Sequence, residues 1–228
     1  MTALLAVESL VKEYARGFPR RRVTFRLEAD FRVEGPSVIG VMGPNGSGKT
    51  TLFELITGGN RPTGGRVLCA GRDIHKVRPK ERDRLAIHYH QAYQVRRFAS
   101  LKPAFLMERA GSDYPMVHLF DEPQFSTQDG YIGFMLDFFH KLRREDRLVF
   151  LCLHPNEDFH VDILKEACER FLFVQDGRLS EAPDLPTLVR DQRIRTYLGR
   201  LADRAAGSSR GAAATGPSGD GGAGGAAA

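Results

Sequence analysis

Five residues, Val38-Ile39-Gly40-Val41-Met42, run without a polar interruption into Gly43-Pro44-Asn45-Gly46-Ser47-Gly48-Lys49-Thr50-Thr51, and this junction constrains the fold more than any other part of the chain. An apolar run of that length between turn residues reads as a buried strand, and the residues after Lys49 read as a helix. Glycines at 43, 46 and 48 let the backbone curl tightly enough to aim successive N–H groups at phosphate oxygens, and the helix adds its positive N-terminal end. Lys49 is then placed to reach the β- and γ-phosphates. Thr50 can hold Mg²⁺ through its hydroxyl, and Thr51 can contact the α-phosphate region. A glycine-rich turn without a ligand would not need Lys-Thr-Thr after a buried strand.

Further along, short apolar strands alternate with helical segments: Val117 to Phe120, a helix near Tyr131 to Leu142, then Leu148 to Leu153. That alternation predicts an α/β fold with a parallel sheet flanked by helices. Before it, Val23-Thr24-Phe25-Arg26-Leu27-Glu28-Ala29-Asp30-Phe31 alternates apolar and polar with period two, which predicts an antiparallel β layer at the N-terminal side. At 228 residues the chain is expected to hold one α/β domain over 1–205, while 206–228, nearly all Gly, Ala, Ser and Pro, is expected to stay unfolded as a tail.

The longest apolar stretch, Leu148 to Leu153, falls far short of the roughly 20 residues that span a bilayer, so no transmembrane segment is expected. The N-terminus lacks the basic start and sustained apolar core of a secretory signal, and the expected location is the cytoplasm. Cys69, Cys152 and Cys168 are widely spaced, mostly among apolar residues, and read as reduced core thiols. Thirty-three basic and 28 acidic residues leave a net charge of +5. Much of the excess sits in short runs such as Arg20-Arg21-Arg22, which read as solvated faces, so nucleic acid is not the expected partner.

Met116-Val117-His118-Leu119-Phe120-Asp121-Glu122-Pro123 ends a strand in two carboxylates, where a parallel sheet places ligand-facing groups. Asp121 is positioned to hold the hydration shell of Mg²⁺ and Glu122 to poise an attacking water as general base, a role worth about 10²–10⁴ in rate. A helix cap is the plain structural alternative for such a pair.

With these two motifs in order, the chain resembles the ATP-binding-cassette ATPases from about Leu4 to Leu201: Gly43 to Thr50 is similar to their Walker A motif and Val117 to Glu122 to their Walker B motif. The resemblance implies a P-loop NTPase core, ATP and Mg²⁺ as ligands, and ATP hydrolysis. It also implies roles for three further residues. Gln91 matches the Q-loop glutamine that joins the metal and the attacking water to the transport machinery. His154, after Leu148 to Leu153, matches the switch histidine at the γ-phosphate, and Tyr14 takes the place of the aromatic that stacks on adenine. Pro62 to Leu68 and the Phe173 to Arg178 stretch are similar to architectural segments of the family, and Arg195-Thr196-Tyr197-Leu198-Gly199 is similar to the end of cassettes serving branched-chain amino acid uptake and lipopolysaccharide export.

The chain also departs from the family. The Leu-Ser-Gly-Gly-Gln signature is absent, with only Ser100 near its expected place, and thirty positions (121 − 91) separate Gln91 from Asp121 where several helices normally stand. Most of the helical subdomain is therefore expected to be missing. The segment Phe98 to Ala110 is expected to form at most a short packing helix, and Asp129 could still cross a dimer interface. In the family two cassettes close head to tail, each signature covering the other's ATP. The resemblance thus implies a heterodimer with a second, signature-bearing cassette, acting with an integral membrane protein and placing this chain at the inner face of the membrane. A non-transport, ATP-dependent switch that regulates or assembles a partner complex is the alternative.

Overall fold

The computed structural model describes residues 3–90, 115–123 and 131–207, with only the backbone of His90 and Tyr131. The strands are β1 (Leu5–Arg16), β2 (Arg22–Val33), β3 (Ser37–Met42), β4 (Gly64–Cys69), β5 (Arg72–Asp73), β6 (Ala86–His90), β7 (Val117–Asp121), β8 (Leu148–Cys152), β9 (Arg170–Gln175) and β10 (Arg178–Ala182). The helices are α1 (Lys49–Ile56), α2 (Pro79–Leu85), α3 (Tyr131–Arg144), α4 (Asp158–Ala167), α5 (Leu185–Leu188), α6 (Gln192–Leu198) and α7 (Ala202–Ala206), with one 3₁₀ turn at Gly199–Leu201.

Two pairing regimes meet in a single sheet of order β5-β4-β1-β2-β10-β9-β3-β8-β7-β6. From β9 through β3, β8 and β7 to β6 every ladder is parallel. Parallel neighbours need crossovers that place helices on the faces, so these strands are covered on both sides. β3, β7 and β8 are accordingly buried at every residue. Their side chains divide by pleat: Val38, Met42, Val149 and Leu151 enter the core on the side of α3 and α4, whereas Ile39, Val41, Phe150 and Cys152 enter the core shared with α1, β1 and β2.

β1 pairs antiparallel with both β2 and β4. In β2 the expected period of two is realised at Leu27, Ala29 and Phe31 and runs on to Val33, whereas Val23 at its start is 48% exposed because the β1–β2 hairpin extends past the core there. The antiparallel layer joins the parallel core through β10, which pairs antiparallel with β9 and touches β2 at the single residue pair Arg178 and Glu28, reinforced by the Glu28 N–H donating 2.7 Å to the Gly177 carbonyl.

α1 is only 8 residues long, below the roughly 12–15 at which an isolated helix becomes stable. Packing supplies what propensity does not: Leu52, Phe53, Leu55 and Ile56 are fully buried, each worth about 1.5–3 kcal/mol. This fixes the helix N-terminus beside the carboxyl ends of the parallel strands. The three cysteines are free, with Cys69 and Cys152 buried. Between the end of β6 at His90 and the start of β7 at Val117 stand 26 residues (117 − 90 − 1), so the helical subdomain of this chain is short. Among the described residues no helix is long and apolar enough to cross a membrane. Ser100, the segment 98–110, Asp129 and the tail from 208 onward lie outside the described residues.

Candidate functional site

The loop between β3 and α1 is built on left-handed glycines. Gly43 has φ 148°, and a Cβ there would lie 2.0 Å from the Val174 carbonyl oxygen, so only glycine allows this approach to β9. Gly48, at φ 109°, caps α1, and a Cβ there would press on the Phe25 ring at 2.9 Å. Between them the Ser47 N–H closes a turn on the Pro44 carbonyl at 3.2 Å. Lys49 is buried, and its Nζ donates to the Gly43 carbonyl at 2.7 Å and the Pro44 carbonyl at 2.9 Å, which centres the ammonium over the loop.

Across the sheet, one register row lines up Val41 of β3, Cys152 of β8, Asp121 of β7 and His90 of β6. The strands end together there, and the chain delivers its two carboxylates at that rim. Asp121 turns toward α1: Thr50 Oγ1 donates to its Oδ2 at 2.9 Å, and His88 Nε2 lies 3.3 Å from the same oxygen. Burial would raise the Asp121 pKa, but the hydrogen bonds from His88 and Thr50 outweigh it and hold the carboxyl below its ordinary range. The Cys152 thiol is pushed well up, first by burial and then by the Asp121 charge. Glu122 leaves the strand in the left-handed region at φ 51°, a conformation costing about 1–2 kcal/mol for a residue with a Cβ. Its N–H is held by the Cys152 carbonyl at 3.0 Å. The reversal directs consecutive carboxylates to different places, Asp121 to the loop and Glu122 to the cavity wall.

That cavity, about 460 Å³, is lined by Tyr14, Asn45, Gly46, Gly48, Lys49, Thr50, Thr51 and Glu122 among others. Eight residues singled out from sequence thus border one space. Tyr14 stands at its far end on β1, its ring 6.2 Å from Phe25 and its hydroxyl accepting from Asn60 Nδ2 at 2.8 Å. Arg16, Thr24 and Phe25 complete that end. Gly43 and Ser47 of the same loop are not among the lining residues, and the buried Ser47 Oγ has no hydrogen-bond partner among the described residues. An oxyanion above the loop would satisfy it. His154 is not among the lining residues. It follows β8, where the Leu153 N–H donates to the Val41 carbonyl at 3.1 Å, and its Nδ1 is 2.9 Å from the Tyr197 hydroxyl. Gln91 lies outside the described residues, one position beyond the end of β6.

Two residues at the site escaped the sequence reading. His88 stands three places before Gln91, and its approach to Asp121 arises from the β6–β7 pairing. An ionisable residue facing a carboxylate from the next strand was the available signal, but the partner strand had to be known. Tyr197 comes from α6, far along the chain.

The donor set favours a hard cation. Thr50 Oγ1 and the Asp121 carboxylate are oxygen ligands suited to Mg²⁺, which is usually bound by one or two protein groups together with substrate phosphates. Consistently, no cluster of three or more His, Cys, Asp and Glu able to hold a metal unaided occurs among the described residues.

Comparison with known proteins agrees with this geometry. The profile of the family described as ABC transporter matches residues 27–109, a span that contains β3, the glycine loop and α1. Over that span the chain is similar to the ATP-binding-cassette (ABC) family. It is 39% identical over 89 residues to the lipopolysaccharide export system ATP-binding protein LptB of Acidithiobacillus ferridurans, covering 39% of this chain and 34% of that protein. Over 80 residues it is 44% identical to the molybdate/tungstate import ATP-binding protein WtpC of Pyrococcus horikoshii, covering 35% of this chain and 21% of the relative. The chain thus spans about a third or less of these curated relatives. Similarity of fold reaches further. The ATP-binding subunit of an ABC transporter superimposes with TM-score 0.62 at 19% identity over 89% of this chain and 99% of the other. The dimeric post-hydrolysis ATP-binding cassette MJ0796, bound to ADP and Pi, gives TM-score 0.59 at 15% identity over 78% of this chain and 98% of the other.

Proposed function

We propose that this chain is the ATP-binding and ATP-hydrolysing subunit of an ABC-type transport complex, with residues 1–205 as the cassette and 206–228 as a tail. The observation that supports this most is the Thr50–Asp121 hydrogen bond of 2.9 Å at the rim of the cavity bounded by Lys49, Glu122 and Tyr14. It joins the phosphate-binding loop to the carboxylate strand at the point where a nucleotide's metal would sit.

In this reading the adenine stacks at Tyr14 and the triphosphate lies along the loop, where the N–H groups of residues 43–48 and the Ser47 hydroxyl donate to its oxygens. Lys49 exchanges its two loop carbonyls for β- and γ-phosphate oxygens. Thr50, with Asp121 and Gln91, would hold Mg²⁺, which when bound neutralises charge developing on the β- and γ-phosphate oxygens. Glu122 accepts a proton from the attacking water. His154 donates to the γ-phosphate.

The sequence between β6 and β7 carries no Leu-Ser-Gly-Gly-Gln signature. We therefore read the active unit as a pair with a second, signature-bearing cassette, docked on an integral membrane protein at its inner face. The resemblance to export and import ATP-binding proteins supports the transport setting.

The test is Glu122→Gln in the complex purified with its native partners. Turnover should fall about 10²–10⁴-fold while ATP affinity is retained. Unchanged turnover would remove Glu122 from the mechanism, and purification with a soluble partner but no membrane protein would sink the transport setting.

A further inference from the structure

Helix α6 brings Tyr197 to His154, and no part of the reading above uses it. Its hydroxyl is 2.9 Å from His154 Nδ1, and its ring meets the imidazole edge-on at 5.5 Å and 70°. On the other side it packs against Phe173 of β9 at 5.3 Å and 64°. Two ring contacts fix where the hydroxyl points.

The direction of the proton follows from what surrounds the oxygen. A phenol has one proton to give and lone pairs to accept with. Burial raises the Tyr197 pKa, and the Gly43 backbone works against that rise, as a backbone N–H donating to the phenol oxygen does. The hydroxyl therefore keeps its proton, and His154 Nδ1, 2.9 Å away, is the side-chain atom placed to accept it. A neutral imidazole that accepts at one nitrogen carries its proton on the other.

We propose that Tyr197 is a positioning residue for His154: its hydroxyl donates to Nδ1 and fixes the imidazole in the tautomer that carries its proton on Nε2. Nε2–H is the form needed to donate to a phosphate oxygen. An ordinary packing role for Tyr197 would be met equally by phenylalanine; the hydroxyl is what the proposal depends on.

The proposal rests on the reading of His154 as the group facing the γ-phosphate, and the experiment separates the two. The full chain labelled with ¹⁵N-histidine, with the His154 resonances assigned from the His154→Gln variant, is examined at pH 8 by long-range ¹H–¹⁵N correlation. The expected result is a neutral ring with its proton on Nε2 and an unprotonated Nδ1. Tyr197→Phe should turn this into a mixture of tautomers and lower turnover of the assembled complex about tenfold with little change in KM. A wild-type ring protonated on Nδ1, or a tautomer unaltered by Tyr197→Phe, overturns the proposal. Wild-type turnover in the His154→Gln complex would instead sink the role of His154 at the phosphate while leaving the tautomer result standing.

Discussion

The two ends of the cavity are built differently. At the phosphate end Lys49 is 6% exposed and bound to two carbonyls, Thr50 is bound to Asp121, and the surrounding strands are buried at every residue. At the base end Tyr14 is 38% exposed and sits where the β1–β2 ladder shifts register between Tyr14 and Ala15. One end is fixed by the core of the fold, whereas the other is a surface hairpin. With ATP bound as proposed, the difference implies that the phosphates supply most of the binding energy and that the base end contributes little and discriminates weakly, since an exposed aromatic contact is worth about 0.5–1.5 kcal/mol.

The largest effect should come from the buried end. Lys49→Ala removes the side-chain ammonium held at the loop, and affinity for ATP with Mg²⁺ should fall about a hundredfold or more, roughly 2.7 kcal/mol, by calorimetry. A loss of threefold or less would break the comparison.

A second prediction concerns what holds that end in place. His118, in β7 three residues before Asp121, is buried, stacked on Tyr89 at 5.9 Å, and bonded through Nε2 to the Pro115 carbonyl at 3.0 Å. Burial pushes its pKa down to about 3 despite that carbonyl. The folded state therefore binds this proton less readily than the unfolded chain, whose histidine titrates near 6.5. The neutral ring's contribution is present above the unfolded pKa of 6.5 and is lost as pH falls from there toward 3, by about 1 kcal/mol between pH 6.5 and 5.5. Chemical denaturation between pH 7 and 5.5 should show this slope, and His118→Gln should flatten it. An equal slope in the variant would place the acid sensitivity elsewhere.

At the exposed end, Tyr14→Ala should weaken ATP binding only about fivefold, near 1 kcal/mol. A loss matching that of Lys49→Ala would mean that the base end carries as much energy as the loop.

The same contrast explains what was legible in the sequence. The strand, glycine loop and helix from Val38 to Ile56 follow from local rules: an apolar run, three glycines needing positive φ, and a lysine at a helix start. Asp121 and Glu122 were legible as a strand end, and the period of β2 placed Leu27, Ala29, Phe31 and Val33 inside. The left-handed turn of Glu122, which separates the two carboxylates, was not, because nothing local demands it; the Cys152 carbonyl on the next strand holds it. His88 and Tyr197 were hidden for a similar reason. Each reaches the site through a neighbour distant in the chain, β7 for His88 and β8 for Tyr197, and spacing along one sequence does not encode such pairings. The join between the two sheet regimes rests on the Arg178–Glu28 pair and the Glu28–Gly177 hydrogen bond, too little pattern to be read without the fold.

The measurement that tests the account most directly is the affinity of the purified full chain for adenosine, AMP, ADP and ATP, each with Mg²⁺, by titration calorimetry. The account predicts scarcely measurable binding of adenosine, a steep gain from AMP to ADP as the loop and Lys49 engage, and a further gain for ATP. Adenosine binding as tightly as ATP would contradict it, because the energy would then lie at Tyr14 and not in the loop from Gly43 to Thr50.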